Sequence, residues 1–260
     1  MLEEPRVGLG EHSGVLKVAV VGDSKATNCG LTADVQPFPF LIGELSDGAV
    51  EVRNFAEVGL LLEKFLPNVG LAVDWRPDIV LAACGGRESV YRIPKRLKHF
   101  PIAIDHSVAG RGLALPRAWI RRQVWRTIMG ALERRPRLGE LLMRLLQSRP
   151  YRTPAQYRVA LGRLIEAFAD TGAVIVILEH FDTYQSQYPW KPSYRVENTV
   201  TAQELAAASA GRVLTLDPKQ LVCFRGLMIS DGVHLSAEGH LVVAKALLPQ
   251  LISIGQSDSQ

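Results

Sequence analysis

Residue types that together can carry out acyl transfer lie near the two ends of this 260-residue chain. A Gly-Asp-Ser sequence ending at Ser24 follows an apolar run, and Asp231 and His234 precede a helical pattern near the other end. A serine attacks a carbonyl when a base takes its proton and a carboxylate orients that base. The spacing of three residues places Asp231 and His234 on one turn. Asp231 can then accept a hydrogen bond from one ring nitrogen of His234 while the other nitrogen faces Ser24. The pattern predicts a serine-dependent acyl hydrolase or acyltransferase; the alternative makes Asp231 a turn or cap residue and His234 a loop histidine.

Five short runs rich in β-branched residues alternate with helical stretches along the chain. This alternation is typical of a parallel sheet covered by helices on both faces. Ligands bind such sheets outside the carboxyl ends of the strands, and Ser24, Gly59, the segment 85–88, Asp231 and His234 would converge there. The predicted strands are Val15–Val21, Val50–Asn54, Asp78–Cys84, Ala173–Glu179 and Arg212–Leu216.

Helices are predicted over 59–66 and 155–171, and Ser236 is predicted to cap the closing helix. The crossover between the third and fourth strands, about residues 91–153, is unusually long for such a fold. Two amphipathic helices fit this insertion, with arginines on their other faces. The apolar residues are Ile120, Val124, Ile128 and Leu132 in the first helix and Leu138, Leu141, Leu142, Leu145 and Leu146 in the second. The insertion is either a lid over an acyl chain, with arginines that dock an acidic carrier protein, coenzyme A or a membrane surface, or a solvated basic hairpin.

Composition narrows the class of protein. The length and the 47% hydrophobic content fit a single domain over residues 1–260. The acidic N-terminus and the lack of a long apolar stretch predict a cytoplasmic protein without a transmembrane segment. The net charge of +4 does not indicate nucleic-acid binding. Neither the three scattered cysteines nor His180 predicts a metal site, and no dinucleotide loop follows a strand, so no cofactor is expected.

Four sequence blocks, in order along the chain, resemble the SGNH (GDSL) hydrolases. They are Val-Val-Gly-Asp-Ser at 20–24, Asn-Phe-Ala-Glu-Val-Gly at 54–59, Gly-Gly-Arg-Glu at 85–88 and Asp-Gly-Val-His-Leu-Ser-Ala-Glu-Gly-His at 231–240. The first and last blocks match the family closely. The resemblance implies a three-layer α/β/α fold with a flavodoxin-like, five-stranded parallel sheet. Family members act on esters, thioesters or sugar acetates, and some are acyltransferases, so a small-molecule or carrier-linked acyl substrate is expected.

The resemblance also assigns roles to individual residues. Ser24 becomes the nucleophile, His234 the general base and Asp231 the carboxylate that orients it. The N–H groups of Ser24 and Gly59 take the roles of two of the family's oxyanion-hole donors, although Gly59 can also be interpreted as a plain turn glycine. The family's third donor is the asparagine of a Gly-x-Asn-Asp block, and this chain has Arg87 in its place.

Arg87 is open to three interpretations. It either replaces the amide as an oxyanion donor, binds an anionic substrate group, or pairs with Glu88 or Asp23. Loss of one well-placed donor typically costs about 100- to 1,000-fold in rate, so the substitution bears directly on efficiency. Lys25, another departure from the family pattern, is either directed into the cleft or solvated.

The sequence therefore predicts an esterase, thioesterase or deacetylase that forms an acyl-Ser24 intermediate on a specialised or anionic substrate. The alternative is an acyltransferase that passes the acyl group to an alcohol or amine. A non-catalytic binding protein of the same fold is a third hypothesis, against which the presence of Ser24, Asp231 and His234 argues.

Overall fold

A five-stranded parallel sheet forms the centre of the computed structural model, which describes residues 14–90, 141, 149–180, 192–229 and 233–257. The strand order β2-β1-β3-β4-β5 confirms the flavodoxin-like sheet that the resemblance implies. Each predicted strand is present, with ends that differ from the prediction by at most one residue. The strands are β1 (Leu16–Gly22), β2 (Val50–Asn54), β3 (Ile79–Ala83), β4 (Val174–Leu178) and β5 (Val213–Leu216).

Helices cover both faces of the sheet, which confirms the three-layer α/β/α architecture. One face packs against α1 and α6, and the other packs against α2 to α5. Side chains alternate between the two layers along each strand, so that Val20 of β1 belongs to the first core and Val21 to the second. In the described part of the chain the α-helices are α1 (Phe38–Leu45), α2 (Leu62–Phe65), α3 (Val69–Asp74), α4 (Pro154–Ala167), α5 (Pro192–Ala207) and α6 (Ala237–Ser257).

The helix predicted over 59–66 is much shorter in the structure. Gly59 has a φ of +74°, in the left-handed region, so the chain turns there and α2 begins only at Leu62. The helix predicted over 155–171 is α4, which a capping box between Thr153 and Gln156 begins one residue earlier. Its predicted end was wrong, because α4 ends at Ala167 and residues 168–171 form a turn before Gly172. The predicted cap of the closing helix is confirmed, because Ser236 Oγ accepts the Gly239 N–H at 3.0 Å.

The two ends of the insertion lie side by side, in what we call the neck. The Tyr151 N–H donates to the Val90 carbonyl at 2.9 Å, and the Arg152 N–H donates to the Glu88 carbonyl at 3.0 Å. The Arg152 guanidinium also pairs with the Glu63 carboxylate on α2. The neck thus joins the end of the third-strand loop to the start of α4. Apart from Leu141, the two helices predicted within the insertion lie outside the described residues.

No helix in the described ranges is both long enough and apolar enough to span a bilayer.

Candidate active site

Ser24 lies where the first strand ends and a short 3-10 helix, Ser24–Ala26, begins. Gly22 allows β1 and β3 to approach closely, because a Cβ at residue 22 would lie 2.8 Å from the Ala83 carbonyl oxygen. The Asp23 N–H donates to that same oxygen at 3.2 Å, and the Asp23 carboxylate accepts the Lys25 N–H at 3.0 Å. The Gly-Asp-Ser sequence therefore fixes a sharp turn that presents Ser24 at the carboxyl edge of the sheet.

His234 meets Ser24 across 210 residues of sequence: its Nε2 lies 2.8 Å from the Ser24 Oγ. The segment around His234 is held by an antiparallel bridge between Met228 and Leu235, and the Ile229 N–H donates to the His234 carbonyl at 2.9 Å. The imidazole is only 4% exposed. When Nε2 accepts from the serine hydroxyl, the ring proton must be on Nδ1, which is the tautomer of a general base. Asp231, its predicted partner, lies outside the described residues.

Gly59 is brought to the same edge by the backbone that follows β2. The Phe55 N–H donates to the Val20 carbonyl at 2.8 Å, and the Glu57 N–H donates to the Gly22 carbonyl at 3.2 Å. These bonds carry the chain alongside β1 until it turns at Gly59. The structure thus places Gly59 beside the loop that carries Ser24, in the cleft that also contains Ser24 and His234.

Arg87 begins a 3-10 helix after β3 and extends over the Gly59 turn. Its guanidinium carbon lies 4.9 Å from the centre of the Tyr151 ring, and a Cβ at residue 59 would lie 3.4 Å from that same carbon. No ion pair among the described residues joins Arg87 to Glu88 or Asp23. The guanidinium therefore packs on a tyrosine ring and a glycine and lines the cleft, which favours a role toward substrate or oxyanion.

These side chains surround a cleft of about 260 Å³. It opens between the ends of β1 and β3, where the strand order reverses direction, and this is the usual ligand position in an open α/β sheet. The wall combines charged and apolar groups, including a thiol and three valines. The lining residues are Asp23, Ser24, Lys25, Cys29, Val58, Gly59, Arg87, Val90, Val233 and His234.

Solved structures of similar shape cover nearly the whole chain. TesA is 16% identical, with a TM-score of 0.55 over 92% of this chain and 99% of its own. A lipolytic protein of the G-D-S-L family from Desulfitobacterium hafniense is 12% identical, with a TM-score of 0.54 over 90% and 98%. Axe2, an acetylxylan esterase from Geobacillus stearothermophilus, is 14% identical, with a TM-score of 0.51 over 91% and 94%.

This chain has the SGNH-hydrolase fold. The predicted resemblance is therefore confirmed at the level of the fold. No protein-family model and no curated protein matches the sequence.

Lys25 departs from the SGNH pattern, and its side chain was predicted either to point into the cleft or to be solvated. It is only 7% exposed, so the alternative of a solvated side chain is wrong. Its ammonium group lies against Gly86, where a Cβ would approach it to 2.5 Å, and the Asp23 carboxylate borders the same position. Burial lowers the pKa of Lys25, while the negative charges of Asp23 and Glu88 act in the opposite direction.

Glu88, which occupies the aspartate position of the SGNH third block, is buried with 2% exposure. Its Oε1 accepts the Leu62 N–H at 2.9 Å, and its Oε2 has no hydrogen-bond partner among the described residues. Burial raises the pKa of Glu88 to about 7, and the neighbouring Asp23 acts in the same direction. The site therefore includes a carboxyl group close to its titration point at neutral pH.

His180 is buried beneath the same loop. Its ring contacts Gly85, where a Cβ would lie 3.1 Å from His180 Cε1. Burial lowers the pKa of His180 well below its usual range, and the positive charge of Lys25 adds to that effect. No group of three or more His, Cys, Asp or Glu side chains suited to a metal occurs in the part of the chain that the structure describes.

Sequence reasoning missed several residues that build this site. Asn54 ties the second block to the 3-10 helix that begins at Ser24, since its amide donates to the Ala26 carbonyl at 2.8 Å. The Tyr151 ring packs against Arg87, and Glu88 accepts the N–H of Leu62, three residues after Gly59. Asn54 and Glu88 lie inside recognisable blocks and could have been singled out there. Tyr151 lies at the end of the insertion, about sixty positions from Arg87, and carries no local signal.

Proposed function

We propose that this protein is a serine-dependent acyl hydrolase that forms an acyl-Ser24 intermediate. The observation that carries the proposal is the 2.8 Å contact between Ser24 Oγ and His234 Nε2, at the mouth of a cleft. This distance suits direct proton transfer from a nucleophile to its base. The predicted partner Asp231, three positions before His234, would hold the imidazole in its reactive orientation.

The reaction proceeds in two steps that use the same two side chains. In the first step, the Ser24 oxygen attacks the carbonyl carbon while His234 takes its proton. The carbon–leaving-group bond then breaks, and His234 returns the proton to the leaving group. In the second step, His234 takes a proton from water, the hydroxide oxygen attacks the acyl carbon, and the proton returns to Ser24 as the acid leaves.

A negatively charged oxygen forms on the carbonyl in both steps and needs donors. The backbone N–H groups of Ser24 and Gly59 are proposed for two of these positions, and Arg87 for the third. Support comes from the packing of the Arg87 guanidinium against Gly59 in the same cleft. A preorganised charged donor stabilises such an oxygen more strongly than water does.

The charge of Arg87 also bears on the substrate. A guanidinium at the cleft wall favours an acyl group or leaving group that carries a carboxylate or phosphate. We therefore place the substrate among small or carrier-linked acyl compounds with such a group. Coenzyme A and an acidic carrier protein are leaving groups of this kind.

Axe2 provides an independent comparison for the three proposed residues. Its structures include three catalytic mutants, in which a serine, an aspartate and a histidine are each replaced by alanine. The aspartate and histidine are three positions apart in that chain, as Asp231 and His234 are here. This parallel supports the assignment of Asp231, whose own position the structure does not describe.

The proposal is tested by labelling with a fluorophosphonate probe and by turnover of acyl esters and thioesters of graded length. Wild type and Ser257→Ala, which removes an exposed serine on α6, are expected to be labelled and active. Ser24→Ala is expected to lose labelling and at least about 1,000-fold in kcat. Full turnover by Ser24→Ala would overturn the mechanism. Product analysis with and without added alcohols or amines separates hydrolysis from acyl transfer.

A further inference from the structure

We propose that Glu88 is a positioning residue for acyl transfer, which holds the Gly59 turn against the loop that carries Arg87. The inference rests on the proposed function and deepens it. Glu88 does not line the cleft and would not touch substrate. It acts through the two groups proposed to stabilise the oxyanion, Gly59 and Arg87.

The geometry shows two consecutive side chains that hold the same turn at its two ends. The Arg87 guanidinium packs on Gly59, and the Glu88 carboxylate accepts the N–H of Leu62 at 2.9 Å. Leu62 is the first residue of α2, and its own side chain is buried. A buried N–H at this position has no acceptor within its helix, so the carboxylate satisfies a donor that would otherwise be unpaired.

The Gly59 turn is short and not helical: the Leu60 N–H closes its start by donating to the Glu57 carbonyl at 3.1 Å, and the Glu88 carboxylate holds its far end at Leu62. Gly59 adopts a left-handed conformation, and only two residues separate it from Leu62. A shift of Leu62 would therefore move the Gly59 N–H directly. Displacement of an oxyanion donor by about 1 Å is enough to cost on the order of 100-fold in rate.

Glu88 is itself held in place from the opposite side. The loop 85–89 packs over the Lys25 ammonium at Gly86, and the Ser89 hydroxyl donates to the Gly86 carbonyl at 2.8 Å. The Asn198 amide donates to the Gly85 carbonyl at 3.2 Å. The loop is thus fixed to the nucleophile's helix and to α5, so Glu88 can transmit that position to the Gly59 turn.

Two substitutions of nearly equal size separate this role from simple packing. Glu88→Gln keeps an oxygen that can accept from Leu62, whereas Glu88→Met fills the same space without a good acceptor. Glu88→Met is expected to lower kcat roughly 10- to 100-fold with little change in KM, and Glu88→Gln to stay within about threefold of wild type. Equal kcat values for two folded variants would overturn the proposal.

A second variant keeps the test decisive if Glu88→Met does not fold. Glu88→Asp keeps a carboxyl group but is one methylene shorter, so that group would reach Leu62 poorly. It is expected to lower kcat about 10-fold, and wild-type turnover by the folded Asp variant would overturn the proposal. Probe labelling of Ser24 distinguishes the two failures. If wild type is labelled and the Glu88 variants keep wild-type turnover, only the positioning role is wrong. If wild type is not labelled, the proposed function itself is wrong.

Discussion

Arg87 shows how one residue can alter a site whose proposed nucleophile and base follow the SGNH pattern. The SGNH pattern has a short neutral amide at this position, and here a long cation lies over Tyr151 and Gly59. A planar guanidinium can approach the cleft from the side and still direct N–H groups toward a developing negative charge. The Tyr151 ring packs against that group and attracts its positive charge, which restrains the guanidinium beside the cleft.

Replacement of Arg87 tests whether the guanidinium acts in the transition state. Arg87→Ala is expected to lower kcat about 100-fold, because one charged oxyanion donor is lost. Arg87→Asn, which restores the SGNH amide, is expected to recover part of the loss if the amide can reach. Steady-state kinetics on neutral and anionic esters provide the measurement, with Arg158→Ala as a control that removes a surface arginine on α4. An effect confined to KM for anionic substrates would instead show that Arg87 binds substrate.

Sequence patterns predict residues at this scale unevenly. Ser24 and His234 were paired from residue type and block order, and the structure brings them within hydrogen-bond distance. The burial of Lys25 could not be read from its own position. It depends on Gly86, sixty-one positions away, which leaves room for the ammonium. Contacts of this kind are set by the packing of separate segments.

At the scale of elements, a buried histidine joins α1 to the helix that follows the proposed base. The Phe38 N–H at the start of α1 donates to His240 Nδ1 at 3.1 Å, and His240 is only 1% exposed. A backbone N–H can only donate, so this ring nitrogen must be unprotonated. Burial lowers the pKa of His240 to about 4, and the nearby His234 acts in the same direction.

This contact predicts a loss of stability in acid. Because the folded pKa of about 4 lies below the ordinary value of 6.5, the unfolded chain binds more protons between these values. The contribution of His240 is full above about pH 6.5 and falls as the pH drops toward 4, by on the order of 3 kcal/mol.

Denaturant unfolding at a series of pH values measures this effect. His240→Asn keeps an acceptor for Phe38 but cannot take up a proton, so its stability is expected to fall less steeply than that of wild type over this range. The difference between the two proteins isolates His240 from His180, whose lowered pKa acts with the same sign. Parallel curves for the two proteins would contradict the assignment.

The sequence predicted all five strands of the sheet but missed some of the helices. The strands were found because runs such as Val174–Leu178 are continuous, β-branched and buried on both faces. The helix α5 was missed because it presents no clear apolar stripe, and Val196 and Val200 remain exposed. The helix α1 was missed because a proline and a glycine interrupt its apolar sequence. Its position depends instead on the distant His240.

At the scale of the whole molecule, the strand order explains why the proposed site forms where it does. The strands β2 and β3 lie on either side of β1. The connection after β1 leads to α1 on one face of the sheet, and the connection after β3 leads to α4 on the other face, so the two loops diverge at the carboxyl edge. The cleft lies at this point. Ser24, Gly59 and Arg87 follow β1, β2 and β3, and the parallel direction of these strands brings all three residues to the same edge of the sheet.

The neck predicts that the insertion can be removed without loss of the sheet. Val90 and Tyr151 are hydrogen-bonded neighbours, so a linker of about four Gly and Asn residues in place of 91–149 would span the gap. We expect the shortened protein to fold and to keep the circular dichroism signal of the strands and helices in the described region. We also expect it to retain turnover of short acyl esters, because the proposed catalytic residues all lie outside 91–149.

Two measurements check this expectation, cooperative thermal unfolding and kcat for acetyl esters. Replacement of 91–149 by the same number of Gly and Ser residues is the matched control, because it keeps the spacing without the sequence. An aggregated or non-cooperative deletion variant would show that the core requires the insertion.

The paired neck also has an evolutionary consequence. A segment that leaves and rejoins a fold through two adjacent, hydrogen-bonded residues can change in length or sequence without altering the strand register beneath it. Because Val90 lines the cleft and Tyr151 supports Arg87, such changes would occur beside the substrate. The neck is therefore a position where related chains could diverge in substrate preference while the proposed nucleophile, the proposed base and the sheet stay the same.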